Sequence, residues 1–220
     1  MPSPTEFRLP DWFHLAAVFF AGGAGALAAI RRRYDVVGVA FLSLVSGLGG
    51  ALVRDVVLQR GVPSIFLDGR YILAVVFAGL VAYAFGHKAP RIASVLSVSD
   101  AIGLAAYAVI GAQMSVQAGL SLSASVVVGT VNAVGGGLIR DILVREEPIM
   151  FRPGHFYALA AAAGSTCFVL LHRRAELEGG FSGAVAVAVA FLIRILAVRY
   201  DWKTRPMEPS KDGDRGSLGD

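Results

Sequence analysis

Long apolar stretches separated by short polar ones cover most of the chain. Windows of membrane-spanning length fall at residues 12–30, 36–58, 70–86, 97–117, 120–144, 155–171 and 180–198. Each is close to the 20 or so apolar residues that a helix needs to cross a bilayer. The pattern predicts an all-α integral membrane protein with seven transmembrane helices.

The apolar pattern contains an internal repeat. The stretch "GLGGALVRD" at residues 47–55 recurs as "AVGGGLIRD" at 133–141. The equivalence of the two copies extends downstream, where Pro63 matches Pro148, and upstream, where Asp11 matches Asp100. Each copy covers three spans, and an odd number of spans makes the second copy enter the membrane from the opposite face. We therefore expect two inverted three-helix repeats plus a seventh helix.

The repeat sets the expected organisation of the chain. The predicted segments are an N-terminal segment 1–11, a first repeat 12–89, a second repeat 90–174, a seventh span 175–200 and a disordered cytoplasmic tail 201–220. The tail is rich in charged residues, proline and glycine, a composition that cannot bury a core.

Composition agrees with a membrane location. Hydrophobic residues make up 55% of the chain and charged residues 16%, against about 25% charged in soluble domains, and mean hydropathy is +0.64. The net charge of +4 is typical of basic loops that face anionic membrane lipids, so no nucleic-acid partner is expected.

The basic residues are divided unevenly between the two faces of the predicted bundle. Outside the seventh span, thirteen Lys and Arg lie on the face that holds the C-terminus and six on the other. Because basic residues concentrate in cytoplasmic loops, we expect a multi-pass protein of the cell (inner) membrane with its N-terminus outside and its C-terminus in the cytoplasm.

The glycines of the repeated motif are expected to interrupt or bend their helices inside the membrane. Consecutive glycines weaken a helix, and unpaired backbone is tolerated at membrane depth only against protein or a water-filled cavity. The motif thus predicts an internal wet space. The candidate kink residues are Gly47, Gly49, Gly50, Gly135, Gly136 and Gly137.

Charged residues follow the glycines in both copies. Arg54, Asp55, Arg140 and Asp141 are the first candidates for an ion pathway, because ionisable groups at membrane depth usually serve function. Less marked candidates, on the expected inner face, are Ser43, Ser46, Thr130 and Asn132. The alternative is structural: salt bridges or helix caps at the interface, glycines for close packing, and hydroxyls bonded to their own helix.

Catalytic and metal chemistry have no candidate residues. The sequence shows no nucleophile beside a base, no phosphate-binding loop and no redox motif, and its four histidines lack metal-ligand spacing. We therefore expect no enzyme activity, no cofactor and no metal site.

At these residues the chain resembles the prokaryotic branch of the trimeric intracellular cation (TRIC) channel family, which shares a duplicated domain known as a glycine transporter domain. The likeness covers residues 11–198 and lies in the doubled "GG-x-x-x-RD" motif, the following proline and "F-x-x-G". It implies a homotrimer in membrane lipid with one pore per protomer, lined by kinked second and fifth spans. The implied permeant ions are monovalent cations, chiefly potassium, with sodium as a second candidate. Ala51 stands where the second copy has Gly137, so the first kink should be milder.

Two other functions fit the same architecture. Inverted repeats with interrupted helices also build secondary transporters that work by alternating access, and a small solute such as glycine would suit that interpretation. A membrane scaffold that transports nothing is the third alternative, although it leaves the duplicated charges without a role.

Overall fold

The computed structural model describes residues 9–86, 92–152, 156–173, 175 and 177–202, and the regular structure of this part of the chain is helical throughout. The helices are α1 (Asp11–Arg31), α2 (Val36–Val57), α3 (Ser64–Leu67), α4 (Gly69–Phe85), α5 (Ile92–Gln117), α6 (Leu122–Leu143), α7 (Tyr157–Arg173) and α8 (Gly179–Arg199). The expected terminal segments, 1–11 and 201–220, lie mostly outside the described residues, which exclude 1–8 and 203–220.

Seven of these helices coincide with the seven predicted spans, and α3 is a single additional turn. Helices α1, α2, α5, α6 and α8 are long and apolar enough to cross a membrane. Helices α4 and α7 are shorter, at 17 residues each. The prediction of an all-α membrane protein is confirmed.

The two halves of the chain pack in the same way. Helices α1, α2 and α4 contact one another, and so do α5, α6 and α7. The halves meet where α2 packs against α6 and α1 against α5, while α8 lies on α5 and α7. The two glycine motifs therefore face each other in the middle of the molecule.

Local structure is repeated along with the sequence. Asp35 caps the N-terminus of α2 by accepting from Gly38 N, and Ser121 caps α6 by accepting from Ala124 N. At the other ends, Gln59 (φ 51°) and Arg145 (φ 56°) adopt left-handed backbone conformations. In both copies the next amide, that of residue 60 or 146, bonds back to the carbonyl of the motif aspartate, as in a Schellman helix end.

Glycines allow α2 and α6 to approach to backbone contact. A Cβ atom added to Gly50 would overlap the carbonyl oxygen of Asn132, and one added to Gly136 would overlap the carbonyl oxygen of Ser46. Only a residue without a side chain fits at such a crossing. The glycines therefore have a clear packing role.

The interruption expected at the glycines does not occur. Helix α2 runs unbroken from Val36 to Val57 and α6 from Leu122 to Leu143, because contact with the partner helix compensates for the weak helix propensity of glycine. A bend within either continuous helix remains a prediction.

Candidate functional site

The first motif forms a compact buried cluster, hereafter the first cluster, of Arg54, Asp55 and Ser64. Arg54 Nε donates to Asp55 Oδ1 at 2.8 Å, and Arg54 Nη2 lies 2.7 Å from the same oxygen. Asp55 Oδ2 accepts from the backbone N–H (2.7 Å) and the hydroxyl (2.8 Å) of Ser64, whose hydroxyl oxygen also accepts from Arg54 at 3.0 Å. The Arg54 and Asp55 residues are 2% and 1% exposed. This cluster ties the end of α2 to the start of α3.

The second motif forms a related cluster, hereafter the second cluster, of Arg140, Asp141 and Asp100. Arg140 Nε donates to Asp141 Oδ1 at 2.9 Å, and Asp141 Oδ2 accepts from the backbone N–H of Ile149 at 3.1 Å. Here the arginine has a second acid, since its Nη1 donates to Asp100 Oδ1 at 2.7 Å. The second cluster therefore connects α6 to α5 as well as to its own following loop.

One aromatic and one basic side chain lie beside the second cluster. The Tyr157 hydroxyl donates to Asp100 Oδ1 at 3.4 Å, and the guanidinium carbon of Arg194 lies 4.9 Å from the centroid of the Tyr157 ring. Arg194 is buried in α8. Helices α5, α6, α7 and α8 thus all contribute to this site.

The repeat equivalent of Asp100 behaves differently. Asp11 forms its ion pair with Arg70 at 2.8 Å, and both side chains are more than half exposed. Asp11 is thus paired at the surface, outside the first cluster, and the two halves are chemically unequal.

The four other polar candidates divide into different roles. Ser43 donates to the carbonyl oxygens of Gly22 and Val75, and Thr130 donates to Val126 O of its own helix. Asn132 Nδ2 donates to Tyr107 O at 2.6 Å and so bridges α6 and α5. Ser46 alone among the four lies on a cavity that Asp100 also lines.

Three cavities lie beside the two clusters or between them. The largest, about 210 Å³, opens beside Arg140 and Asp141 and is also lined by Glu146, Arg152 and Arg194. A second, about 10 Å³, lies where α2, α5 and α6 meet. A third, also about 10 Å³, lies beside the first cluster.

The lining of this third cavity includes Arg54, Ser64, Tyr71 and Tyr107. Tyr107 lines the second cavity as well, and its hydroxyl donates to Gly47 O. Arg140 lines the first cavity while its partner Asp100 lines the second. Tyr107 and the Arg140–Asp100 pair therefore lie between neighbouring cavities.

The cavity beside Arg140 and Asp141 has a charged rim outside the helices. Glu146 pairs with Arg32 and lies 3.4 Å from Arg152 Nη2. Burial raises the pKa of Glu146, but the hydrogen bond from Arg32 and the charges of Arg32, Arg31 and Arg152 outweigh it, so the pKa is lowered. The carboxylate is thus held charged among arginines, between the ends of α1 and α6.

Sequence reasoning did not identify every residue of the site. Asp100 entered only as the repeat partner of Asp11, although an acid inside an apolar window is itself a functional signal. Tyr107 and Tyr157 carry no such signal, because their role depends on which helices meet. In the described part of the chain no three His, Cys, Asp or Glu side chains are grouped to hold a metal ion.

Comparison with known sequences identifies the repeat. The sequence model of a family described as "Glycine transporter" matches residues 11–87 and again residues 97–173. A UPF0126 membrane protein of Deinococcus radiodurans is 37% identical over 171 residues, which is 76% of this chain and 80% of that protein. The UPF0126 inner membrane protein YadS of Escherichia coli K12 is 28% identical over 193 residues, 87% of this chain and 93% of that protein.

Comparison with solved structures identifies the fold. A TRIC channel orthologue from Rhodobacter sphaeroides matches with a TM-score of 0.82 and 29% identity, over 87% of this chain and 97% of that one. A structure described as the basis for conductance through TRIC cation channels matches with a TM-score of 0.81 and 27% identity, over 92% and 99%. These neighbours are channels and not enzymes. The chain is a multi-pass membrane protein and belongs to the TRIC channel family, whose duplicated glycine transporter domain makes up both of its halves.

Proposed function

We propose that this protein is a cation channel with a pore inside each protomer. The observation that carries the proposal is the match of nearly the whole chain to solved TRIC cation channels at 27–29% identity. The cavities at the two clusters and between them support it, because the middle cavity lies where α2 and α6 meet and the other two lie beside the repeated motifs.

In this proposal α2 and α6 line the pore and the two clusters control it. The wide cavity beside Arg140 and Asp141 is the vestibule on one side, and the narrow cavities form the constriction. Asp55 and Asp141 supply negative potential for cations, as acidic rings do in cation channels. Arg54 and Arg140 block the path while they are bonded to acids, and their movement opens it. Bending at Gly47, Gly49, Gly50, Gly135, Gly136 and Gly137 accompanies that movement.

The ions and the assembly follow from the same relatives. We propose potassium as the chief permeant ion, with sodium as a second, and a homotrimer in membrane lipid, since the related structures are those of trimeric intracellular cation channels. The vestibule side carries the ends of α1, α6 and α8 and their arginines. The positive-inside rule assigns this side to the cytoplasm, so the N-terminus lies outside.

A secondary transporter is the second candidate, because the matching family is described as a glycine transporter and inverted repeats also support alternating access. The two functions differ in kinetics. A channel passes ions in unitary current steps, whereas a transporter moves its solute in a saturable cycle without such steps.

Purified protein in planar bilayers tests the proposal. We expect unitary steps in symmetric KCl and, in a KCl gradient, a reversal potential near that of potassium. Proteoliposomes loaded for uptake of labelled glycine provide the parallel measurement. Saturable glycine uptake with no unitary current would favour the transporter over the channel. The absence of both signals would contradict both functions.

A further inference from the structure

An apolar groove of about 510 Å³, hereafter the lateral groove, lies between α1, α4 and α5. Because α4 and α5 both pack on α1, α1 forms its floor, which includes Phe20 and Gly23. Its walls include the exposed side chains of Phe85 on α4 and of Val95 and Val98 on α5. The described residues that line it are distinct from those that line the cavities at the two clusters. The lateral groove is thus a surface that the proposed pathway does not use.

The inverted repeat identifies the equivalent surface in the second half. A shift of 89 residues places an identical Leu-Ala-Ala triplet of α1 on that of α5. In this register Phe20 on the floor of the lateral groove is equivalent to Val109, and Val98 on its wall is equivalent to Leu9. The equivalent surface therefore lies over α5, between α7 and the start of α1.

Helix α8 covers that equivalent surface. It packs on α5 and α7, the repeat counterparts of α1 and α4. A Cβ atom added to Gly183 of α8 would lie 3.3 Å from Leu9 Cδ2 and 3.8 Å from Val109 Cγ1. These are the two residues equivalent to Val98 and Phe20. Since α8 follows the second three-helix repeat, whereas α5 directly follows the first, the lateral groove is the same surface without its helix.

The lateral groove is basic at one end. A Cβ atom added to Gly86 would lie 3.0 Å from Leu27 Cδ2, and both residues line the groove, so it reaches the last turns of α1. Three exposed arginines follow at 31–33. Two of them share the carboxylate of Glu146 with Arg152. Positive charge therefore exceeds negative charge at this end.

Helix α8 shows which chemistry suits such a surface. Its buried residues include the small Gly183, Ala186 and Ala190, and small residues let membrane helices pack closely. The exposed Glu178 immediately precedes it, at the end of the bundle where α7 finishes with the basic Arg173. An acid before a helix also stabilises the positive end of the helix dipole. The equivalent occupant of the lateral groove would begin at the end where α1 and α4 finish, beside the arginines at 31–33.

We propose that the lateral groove binds one transmembrane helix of a second membrane protein. This helix presents small residues to Phe20 and Val98 and begins after an acidic residue that faces the arginines at 31–33. The inference goes beyond the proposed channel function and does not rest on it, because it follows from the repeat and from the position of α8. Bound in this way, the partner gives the first half the fourth helix that the second half already has.

A peptide taken from α8 provides the probe. It spans residues 177–200 and carries Arg194→Leu, because the native arginine stacks on Tyr157 beside α8. Peptide and protein are reconstituted together in phosphatidylcholine vesicles. The photo-crosslinker p-benzoylphenylalanine replaces Val95 in the groove or, as background, Leu73, which is exposed on α4 and does not line the groove. We expect saturable crosslinking from position 95 and only background from position 73.

Two variants fill the lateral groove. In Gly23→Leu the added side chain enters open space, since the nearest atom to a Cβ there is Ser99 Oγ at 3.5 Å. Val98→Trp enlarges an exposed wall. In both, the peptide fraction that half-saturates the crosslink should rise by about tenfold, a loss of about 1.4 kcal/mol. Gly69→Leu is the matched control and should bind the peptide like the wild type, because nothing lies within 4 Å of a Cβ there and the residue does not line the groove.

Two changes in the peptide test the chemistry of the occupant. Replacing Gly183, Ala186 and Ala190 together by Leu removes the small face and should abolish saturable crosslinking. The change Glu178→Gln removes the acid and should weaken binding. If the Glu178→Gln peptide binds as tightly as its parent, the acidic flank of the proposed partner is overturned.

The remaining outcomes decide the occupant. Background crosslinking from position 95, undiminished binding of the leucine-faced peptide, or crosslinking that survives both groove-filling variants overturns the inference. Native mass spectrometry reports the other occupants: loss of the oligomer in the groove-filling variants but not in Gly69→Leu assigns the groove to a second copy of this chain, and a bound phospholipid that saturating peptide does not displace assigns it to lipid. Either result overturns the helix. If Gly23→Leu does not fold, Val98→Trp decides, because Val98 is already 44% exposed.

Discussion

Asp55 and Asp141 occupy the same position in the two inverted halves, and each accepts a backbone N–H from the loop that follows its own helix. The donors are Ser64 N at 2.7 Å and Ile149 N at 3.1 Å, which are themselves repeat equivalents. Each carboxylate also accepts from the arginine that precedes it. The duplicated motif is thus a loop-anchoring ion pair as well as a candidate pathway element.

The two aspartates should differ in their importance for stability. Asp55 is the one carboxylate that pairs with Arg54 among the described residues, whereas Arg140 keeps Asp100 when Asp141 is lost. An unpaired buried charge costs about 3–5 kcal/mol. We therefore expect Asp55→Asn to lower the unfolding temperature in detergent clearly more than Asp141→Asn does. Equal losses, or a larger loss for Asp141→Asn, would contradict this account of the two clusters.

The glycine crossing should tolerate no added methyl group. Gly136→Ala places a Cβ on the carbonyl oxygen of Ser46, so α2 and α6 must separate, and we expect loss of thermal stability or of the assembled protein. Gly69→Ala is the matched control, since nothing lies within 4 Å of a Cβ there. Size-exclusion profiles and melting curves of the two variants provide the measurement. Wild-type behaviour of Gly136→Ala would show that the crossing can yield.

Hydropathy and the repeat were sufficient to predict the membrane-spanning helices and their division into two related halves. The spans, the inverted halves and the equivalence of Asp11 and Asp100 all follow from spacing along the chain. The role of the glycines was less accessible, because weak helix propensity predicts a break, while tertiary contact between α2 and α6 keeps both helices continuous.

The makeup of the second cluster could not be derived from the sequence either. Arg140 reaches across 40 residues of chain to Asp100, and Tyr157 joins them from a third helix. Asp11 occupies the same repeat position as Asp100 and yet pairs with Arg70. Which of two equivalent acids enters the core depends on side-chain packing that the repeat pattern does not specify.

Topology gives a prediction that is independent of the pore. The predicted topology assigns thirteen basic residues to the C-terminal face and six to the other, so a reporter fused after residue 220 should behave as cytoplasmic. Two reporters fused at this position in turn, one active only in the cytoplasm and one active only outside it, should give opposite signals. A C-terminal fusion active outside the cytoplasm would reverse the orientation.

The Glu146 cluster should make stability depend on pH in the acid range. Because Arg32 and its neighbours hold the folded-state pKa of Glu146 below its ordinary value of 4.5, the cluster stabilises the fold above that pH. The contribution is lost as pH falls through the lowered pKa. We expect Glu146→Gln to unfold at a lower temperature than the wild type at pH 7, and the difference to vanish in strong acid. A difference that stays constant with pH would mean that packing, not charge, sets the effect.

Charge in the vestibule gives the most direct functional prediction. Asp141 lines the 210 Å³ cavity, and a unit charge attracts a cation 4 Å away by about 1 kcal/mol in water, which is roughly a fivefold change in local ion occupancy. Asp141→Asn should therefore lower unitary potassium conductance by up to about fivefold in dilute salt, with lower cation-over-anion selectivity. In about 1 M KCl the loss should shrink, because screening shortens the range of the charge to about 3 Å.

A surface charge provides the control for that experiment. Glu178→Gln removes an exposed carboxylate at the start of α8 that makes no capping hydrogen bond and does not line the vestibule, so its conductance should match the wild type at every salt concentration. Melting temperatures measured on the same preparations separate conduction from folding. If Asp141→Asn conducts and selects like the wild type while its melting temperature falls, Asp141 is an anchor for the loop at Ile149 and not part of the ion pathway.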